Sequence, residues 1–247
     1  MRGDMLRDLF YPNKGNLFIY INAAFLLTMM AIGVIAPITV VFGYFLETIV
    51  IGILNVVKMY IVVSYSPTHL RSTRKDKGGI AAIPFFIIHY GAFVAIQSIL
   101  GFSLFEVAGD GVITDSLDIL GNYQKVLQFN GMGWVLGSII AGNLGYFLNN
   151  FLSKGKYKDY TVADLMITPY VRIFVQQFVV ILSGFFMIVF SSGFAAGVLL
   201  VLFRTIIDLI IAAFKEGSTM MRNIALYVKR PEQSVEEIET VLQKISE

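Results

Sequence analysis

The sequence predicts an all-α polytopic membrane protein with six transmembrane helices and both termini cytoplasmic. Three observations predict it. Of 247 residues, 56% are hydrophobic and 15% charged, against about 45–50% and about 25% in a soluble domain, and the mean hydropathy is +0.73. The apolar residues gather in six runs close to the ~20 residues that a helix needs to cross a bilayer. Lys and Arg are sorted by side of those runs. The first observation argues against a soluble enzyme. A net charge of +2 is too mild for a nucleic-acid partner, and the lack of cysteine removes disulfides, thiolate nucleophiles and thiolate metal sites. With His69 and His89 as the sole imidazoles, no metal centre and no cofactor is expected.

The six runs are 17–35, 38–63, 80–102, 131–152, 170–190 and 194–214. Ala36-Pro37 separates the first two, because proline lacks an amide hydrogen and crowds the preceding turn, so a tight helical hairpin is expected. The first run is no cleavable signal peptide: it is too long, Asp4 and Asp8 precede it, and a second span follows at once. Outside the runs, segments 1–16, 64–79, 153–169 and 215–247 carry three, four, three and five Lys and Arg, whereas 103–130 carries only Lys125. By the positive-inside rule, a cytoplasmic segment 1–16, a membrane domain 17–214 and a cytoplasmic tail 215–247 follow. Arg71, Arg74, Lys75 and Lys77 then read as topology determinants that also suit anionic lipid.

Two peripheral segments look helical. In the outer loop, Ile113, Leu117, Leu120 and Leu127 recur at helical spacing, which predicts an amphipathic helix near 113–128 lying on the interface or over the bundle. In the tail, Ser234 and Glu237 have capping-box spacing ahead of Val235, Ile238, Val241, Leu242 and Ile245. A short docking helix follows, set against its own bundle or a partner, including a second copy of the chain. No repeat of 20–50 residues is visible.

Ionisable groups in hydrocarbon are costly, so each one inside a run is a functional candidate. Glu47, Asn55 and Lys58 fall within about 80° of one another on the second helix. The third run offers His89 and Gln97, the fourth Asn143, Asn149 and Asn150, the fifth Arg172, Gln176 and Gln177, and the sixth Arg204 and Asp208. Counted from each run's cytoplasmic end at about 1.5 Å per residue, Lys58, Asp208, Gln177, Asn55, His89, Asn143 and Arg204 lie roughly 8–15 Å deep, and Glu47 about 24 Å. Arg172 and Asn150 lie close enough to that end to snorkel. A polar cavity in the cytoplasmic half of the bundle is the expectation. Structural roles compete: Arg204 and Asp208 at i, i+4 also suit mutual neutralisation, Asn143 and the glutamines suit interhelical hydrogen bonds, and His89 suits a satisfied buried imidazole. Gly133, Gly137, Ala141 and Gly145 form a smooth ridge read as a close helix contact. Serine-protease, aspartyl-dyad, phosphate-loop and HExxH patterns are absent.

The stretch from Tyr44 to Met59, the run Phe86-Ile87-Ile88-His89-Tyr90-Gly91-Ala92-Phe93, Asn150-Phe151 with Gly155-Lys156-Tyr157, the Pro169-Tyr170-Val171-Arg172 turn and the run from Arg204 to Leu209 together resemble a prokaryotic membrane family known as domain of unknown function 6498. The similarity covers roughly residues 38–214 and implies a multi-pass fold, with Glu47, Asn55, Lys58, His89, Asn150, Tyr170, Arg172 and Asp208 at its recurring polar positions. Asn143 and Gln177 stand where many members carry histidine, so the resemblance brings no metal or haem to this chain. No activity comes with it.

The leading expectation is a cavity that binds or transports a small polar solute or ion, through Glu47, Asn55, Lys58, His89, Asn143, Gln177, Arg204 and Asp208, with Tyr44, Asn150, Tyr170 and Arg172 in support. The alternative is a scaffold or accessory subunit whose polar layer fixes helix register and whose tail helix docks a partner. A membrane-embedded enzyme using Glu47 and His89 is the third reading. The bilayer is the expected surrounding in all three.

Overall fold

The computed structural model describes residues 10–12, 16–65, 79–108, 111–189, 193–213, 219–228 and 234–239, and all regular structure among them is helical. They fall into two compact units: Leu26–Leu200, and the described parts of Met1–Phe25 with Val201–Glu247. The cluster Arg71, Arg74, Lys75 and Lys77 lies outside the described residues, as do Val241, Leu242 and Ile245 of the tail.

The first apolar run forms α1, Leu17–Ala31, and stops four residues short of its expected end. Gly33 takes φ +77, its amide donates to Met30 O at 3.1 Å and the Val34 amide to Met29 O at 2.9 Å. This pairing closes a helix with a left-handed residue, which glycine adopts without a Cβ penalty. Pro37 then opens α2, Pro37–Tyr65, at the first helical position, where its missing amide hydrogen costs nothing. The expected break between the first two runs is present, and glycine rather than proline ends the first helix. The turn is pinned to the chain ahead of a later helix, with Thr39 Oγ1 donating to Asn130 O at 2.9 Å.

Helix α3, Ala82–Ala108, follows. Helix α4 is Ile119–Leu127, begun by Asp118, whose carboxylate accepts from the Gly121 amide. It is shorter than the expected 113–128, and its buried face is different. Asn122 and Val126 are buried, and so is Ile113 in the chain ahead of the helix, whereas Leu117 and Leu120 are 71% and 78% exposed and Leu127 is exposed too. Helix α5, Met132–Tyr146, continues into a π turn, Phe147–Leu152. A 3₁₀ turn, Lys156–Lys158, packs along the C-terminal end of α2, with the Tyr65 and Tyr157 rings 4.7 Å apart.

Helix α6, Val162–Val189, starts eight residues before the expected 170. Thr161 and Asp164 cap one another: Thr161 N donates to Asp164 Oδ2 at 2.9 Å and Asp164 N to Thr161 Oγ1 at 3.2 Å. This reciprocal pairing satisfies amides that a helix start leaves open. Burial beside this cap, with the Asp164 and Asp159 charges, pushes the Tyr160 hydroxyl well above its usual range. Helices α7, Gly193–Ala213, and α8, Thr219–Val228, follow, and residues 235–239 are helical too. In the tail, Ser234 and Glu237 make the expected box, with Glu237 N donating to Ser234 Oγ at 3.1 Å and Ser234 N to Glu237 Oε2 at 3.2 Å.

Helix α2 is the hub of the larger unit, packed against α3, α5 and α6. Among the described residues, three helices are long and apolar enough to cross a membrane: Pro37–Tyr65, Ala82–Val107 and Met132–Leu152. Helix α1 has 15 residues, about 22 Å, under the ~20-residue length of a full span.

Candidate functional site

Glu47 is 6% exposed on α2, and Asn143 Nδ2 on α5 donates to its Oε1 at 3.2 Å. The same amide donates to Ile139 O at 3.0 Å, which fixes its direction. Depth counting places these two residues about 9–10 Å apart along the bundle, and the structure overturns that separation. The counting assumes level helix ends. Helix α2 instead runs on beyond the end of α5, to Tyr65 beside the 3₁₀ turn, so residue 47 on the longer helix meets residue 143 on the shorter one.

Asn55 does something else. Its Nδ2 donates to Leu165 O at 2.8 Å, a buried contact on α6. Leu165 lies four residues before Pro169, which stands inside α6. A residue at 169 with an amide hydrogen would donate to that carbonyl, and proline cannot. Asn55 supplies the missing donor, as a neighbouring helix must where no water is at hand. One N–H of its amide is therefore committed to structure.

The stripe of Glu47, Asn55 and Lys58 is thus divided between two neighbours. Glu47 faces α5, Asn55 faces α6, and the Lys58 ammonium lies over the rings of Phe151 and Tyr146, 5.3 and 5.9 Å from their centroids, a favourable position for a cation in partly apolar surroundings. His89 Nδ1 and the Tyr170 hydroxyl are 2.5 Å apart. The imidazole is exposed, stacked on Phe85 and edge-on to Phe93, so it is not the buried histidine that one reading of the sequence holds open. Arg204 Nε and Asp208 Oδ2 pair at 2.9 Å within α7, the intrahelical neutralisation that their spacing allows. Tyr44 is buried on α2, Asn150 is half-buried in the π turn, and the side chain of Arg172 lies outside the described residues.

Two amides stand apart. Gln97 on α3 is 4% exposed, and neither its Nε2 nor its Oε1 has a hydrogen-bond partner; Gln177 Nε2 on α6 is likewise buried and unpartnered. Each such group costs about 1–3 kcal/mol when left unpaired. Sequence reasoning notes Gln97 as polar yet leaves it out of the site; its place in an apolar run was the available signal. The next residue, Ser98, meets the Tyr123 hydroxyl of α4 at 2.7 Å. Burial pushes that phenol above its usual range and the Ser98 hydrogen bond pulls it back in part.

Among the described residues, the expected glycine ridge on α5 makes no close contact: nothing lies within 4 Å of where a Cβ would stand at Gly133, Gly137 or Gly145, whereas Gly43, Gly52 and Gly101 abut Val135, Tyr90 and Phe45. Close packing belongs to α2 and α3. Among the described residues, no group of three or more His, Asp or Glu side chains comes together that could hold a metal ion. What remains is a buried carboxyl held by an amide, with unpartnered amide atoms on Gln97, Gln177 and Asn122 in the same unit. Such groups can bind a proton or a small hydrogen-bonding molecule. A family of unknown function, DUF6498, matches the chain over residues 5–233. No curated protein and no solved structure matches it.

Proposed function

We propose, on the premise that the chain belongs to the DUF6498 family, that it is a six-span protein of the prokaryotic cytoplasmic membrane, with both termini inside, that binds or passes a small polar solute or ion. In this reading α1, α6 and α7 join the three long apolar helices as spans, and Glu47 is the protonatable group. One observation carries it: a carboxyl 6% exposed on the hub helix, hydrogen-bonded to Asn143, where purely structural packing would be served by an apolar side chain. A buried carboxyl of this kind is a functional candidate by default. Glu47→Gln, reconstituted in liposomes, is expected to keep its fold and lose proton-coupled uptake by about tenfold or more, the scale of a misplaced general acid or base. Wild-type uptake in that variant would remove Glu47 from the mechanism.

A second reading is favoured by the paired caps of Ser234 and Glu237: a scaffold whose tail helix docks a partner. Deleting residues 232–247 is expected to leave uptake unchanged. Loss of a co-purifying complex with an intact bundle would favour the scaffold instead. For the enzyme reading, Glu47 is hydrogen-bonded to Asn143 and His89 meets Tyr170, side chains of two different helices.

A further inference from the structure

Contacts along three helices fix where the unsatisfied amides stand. Helices α2 and α3 run antiparallel: Phe45 abuts Gly101, Gly52 abuts Tyr90, and the Tyr90 hydroxyl donates to Thr48 O at 2.7 Å. On α6, Leu165 is tied to Asn55, and five residues on, the Tyr170 ring packs against Phe86, Tyr90 and Phe93 at 6.4, 5.9 and 5.4 Å. Helix α6 therefore runs parallel to α3, with Tyr170 level with Tyr90. Seven residues make two turns, a rise of about 10.5 Å with a return to nearly the same face. Gln97 is seven residues beyond Tyr90, and Gln177 seven beyond Tyr170. The two amides stand at one level on the facing stripes of α3 and α6, and Gln97 lies one turn from Gly101, on the stripe pressed against α2.

Their chemistry is mixed. Gln97 offers an unused donor and an unused acceptor, and Gln177 an unused donor. A bound cation would call for several convergent oxygens, and a bound anion for donors without an opposing carbonyl. A donor–acceptor–donor set fits an uncharged molecule that itself both accepts and donates. Buried polar groups in native proteins are almost always satisfied, and a guest of this kind satisfies all three atoms. We infer that Gln97 and Gln177 form the contact point for a small neutral solute, an uncharged amide or polyol, lodged between α3 and α6 beside α2. The inference rests on the proposed solute-handling function and names its substrate class.

Liposomes carrying the full chain test it, with acetamide and glycerol as neutral probes and potassium as an ionic one. Uptake of at least one neutral probe is expected to exceed that of protein-free vesicles, and Gln97→Met and Gln177→Met are each expected to lower it by about tenfold, the loss of roughly one hydrogen bond. Both variants remove an unpaired polar group while keeping side-chain length, so their thermal midpoints without solute should equal or exceed that of the wild type. Folded variants with undiminished neutral uptake would overturn the inference. So would uptake of potassium alone, dependent on Glu47, which would leave the broader function standing. Failure of all three probes would remove both.

Discussion

Asn55→Leu should destabilise the bundle by about 1–3 kcal/mol, the cost of a buried carbonyl left without a donor. The carbonyl is that of Leu165, and its need arises from Pro169, four residues along the same helix. That origin makes the prediction specific. In Pro169→Ala, the new amide hydrogen can donate to Leu165 O, and Asn55 becomes the redundant group. The double variant Asn55→Leu, Pro169→Ala should therefore recover most of what Asn55→Leu loses, a coupling of about 1 kcal/mol or more between positions 114 residues apart in sequence. Reversible unfolding of the four proteins in mixed micelles measures it. Additive effects would show that Asn55 acts by some route other than the proline's missing bond.

The same pair shows what a sequence read helix by helix leaves out. Asn55 and Pro169 are both visible, one as a polar residue in an apolar run and the other as the apparent end of a loop, and neither alone announces the other. Helical content and the hub's composition are legible because apolar runs determine them. The break between the first two helices is legible for a similar reason, since Gly33 and Pro37 carry their backbone preferences locally. The start of α6 is misread because a proline inside a helix normally marks a boundary, and here a side chain from α2 relieves it. Relative depth is misread because helix ends are staggered: Glu47 meets Asn143 although each lies at a different distance from its own end. The site's most telling atoms, on Gln97 and Gln177, gain meaning only from what does not touch them, and no spacing rule reports that.

Gly101→Ala is the second substitution expected to cost dearly, again because two helices meet there. A Cβ at position 101 would fall on the outer edge of the Phe45 ring. That ring cannot swing aside: it is 2% exposed, stacked on Phe102 with centroids 6.1 Å apart and packed on Phe42 at 5.6 Å. Overpacking of a fixed core costs about 1–3 kcal/mol, while the gain in helix propensity returns at most about 1 kcal/mol. Gly137→Ala supplies the control, since an added methyl there meets nothing within 4 Å among the described residues and the propensity gain stands alone. Thermal unfolding should rank Gly137→Ala at or above the wild type and Gly101→Ala well below it, with Phe45→Leu rescuing Gly101→Ala by vacating the contested volume. The reverse ranking would restore the glycine ridge of α5 as the tight interface and separate α3 from α2, and with it Gln97 from the level of Thr48. Helix α3 is held close to the hub by a hydrogen-sized side chain at 101, and that closeness buries Gln97 one turn away.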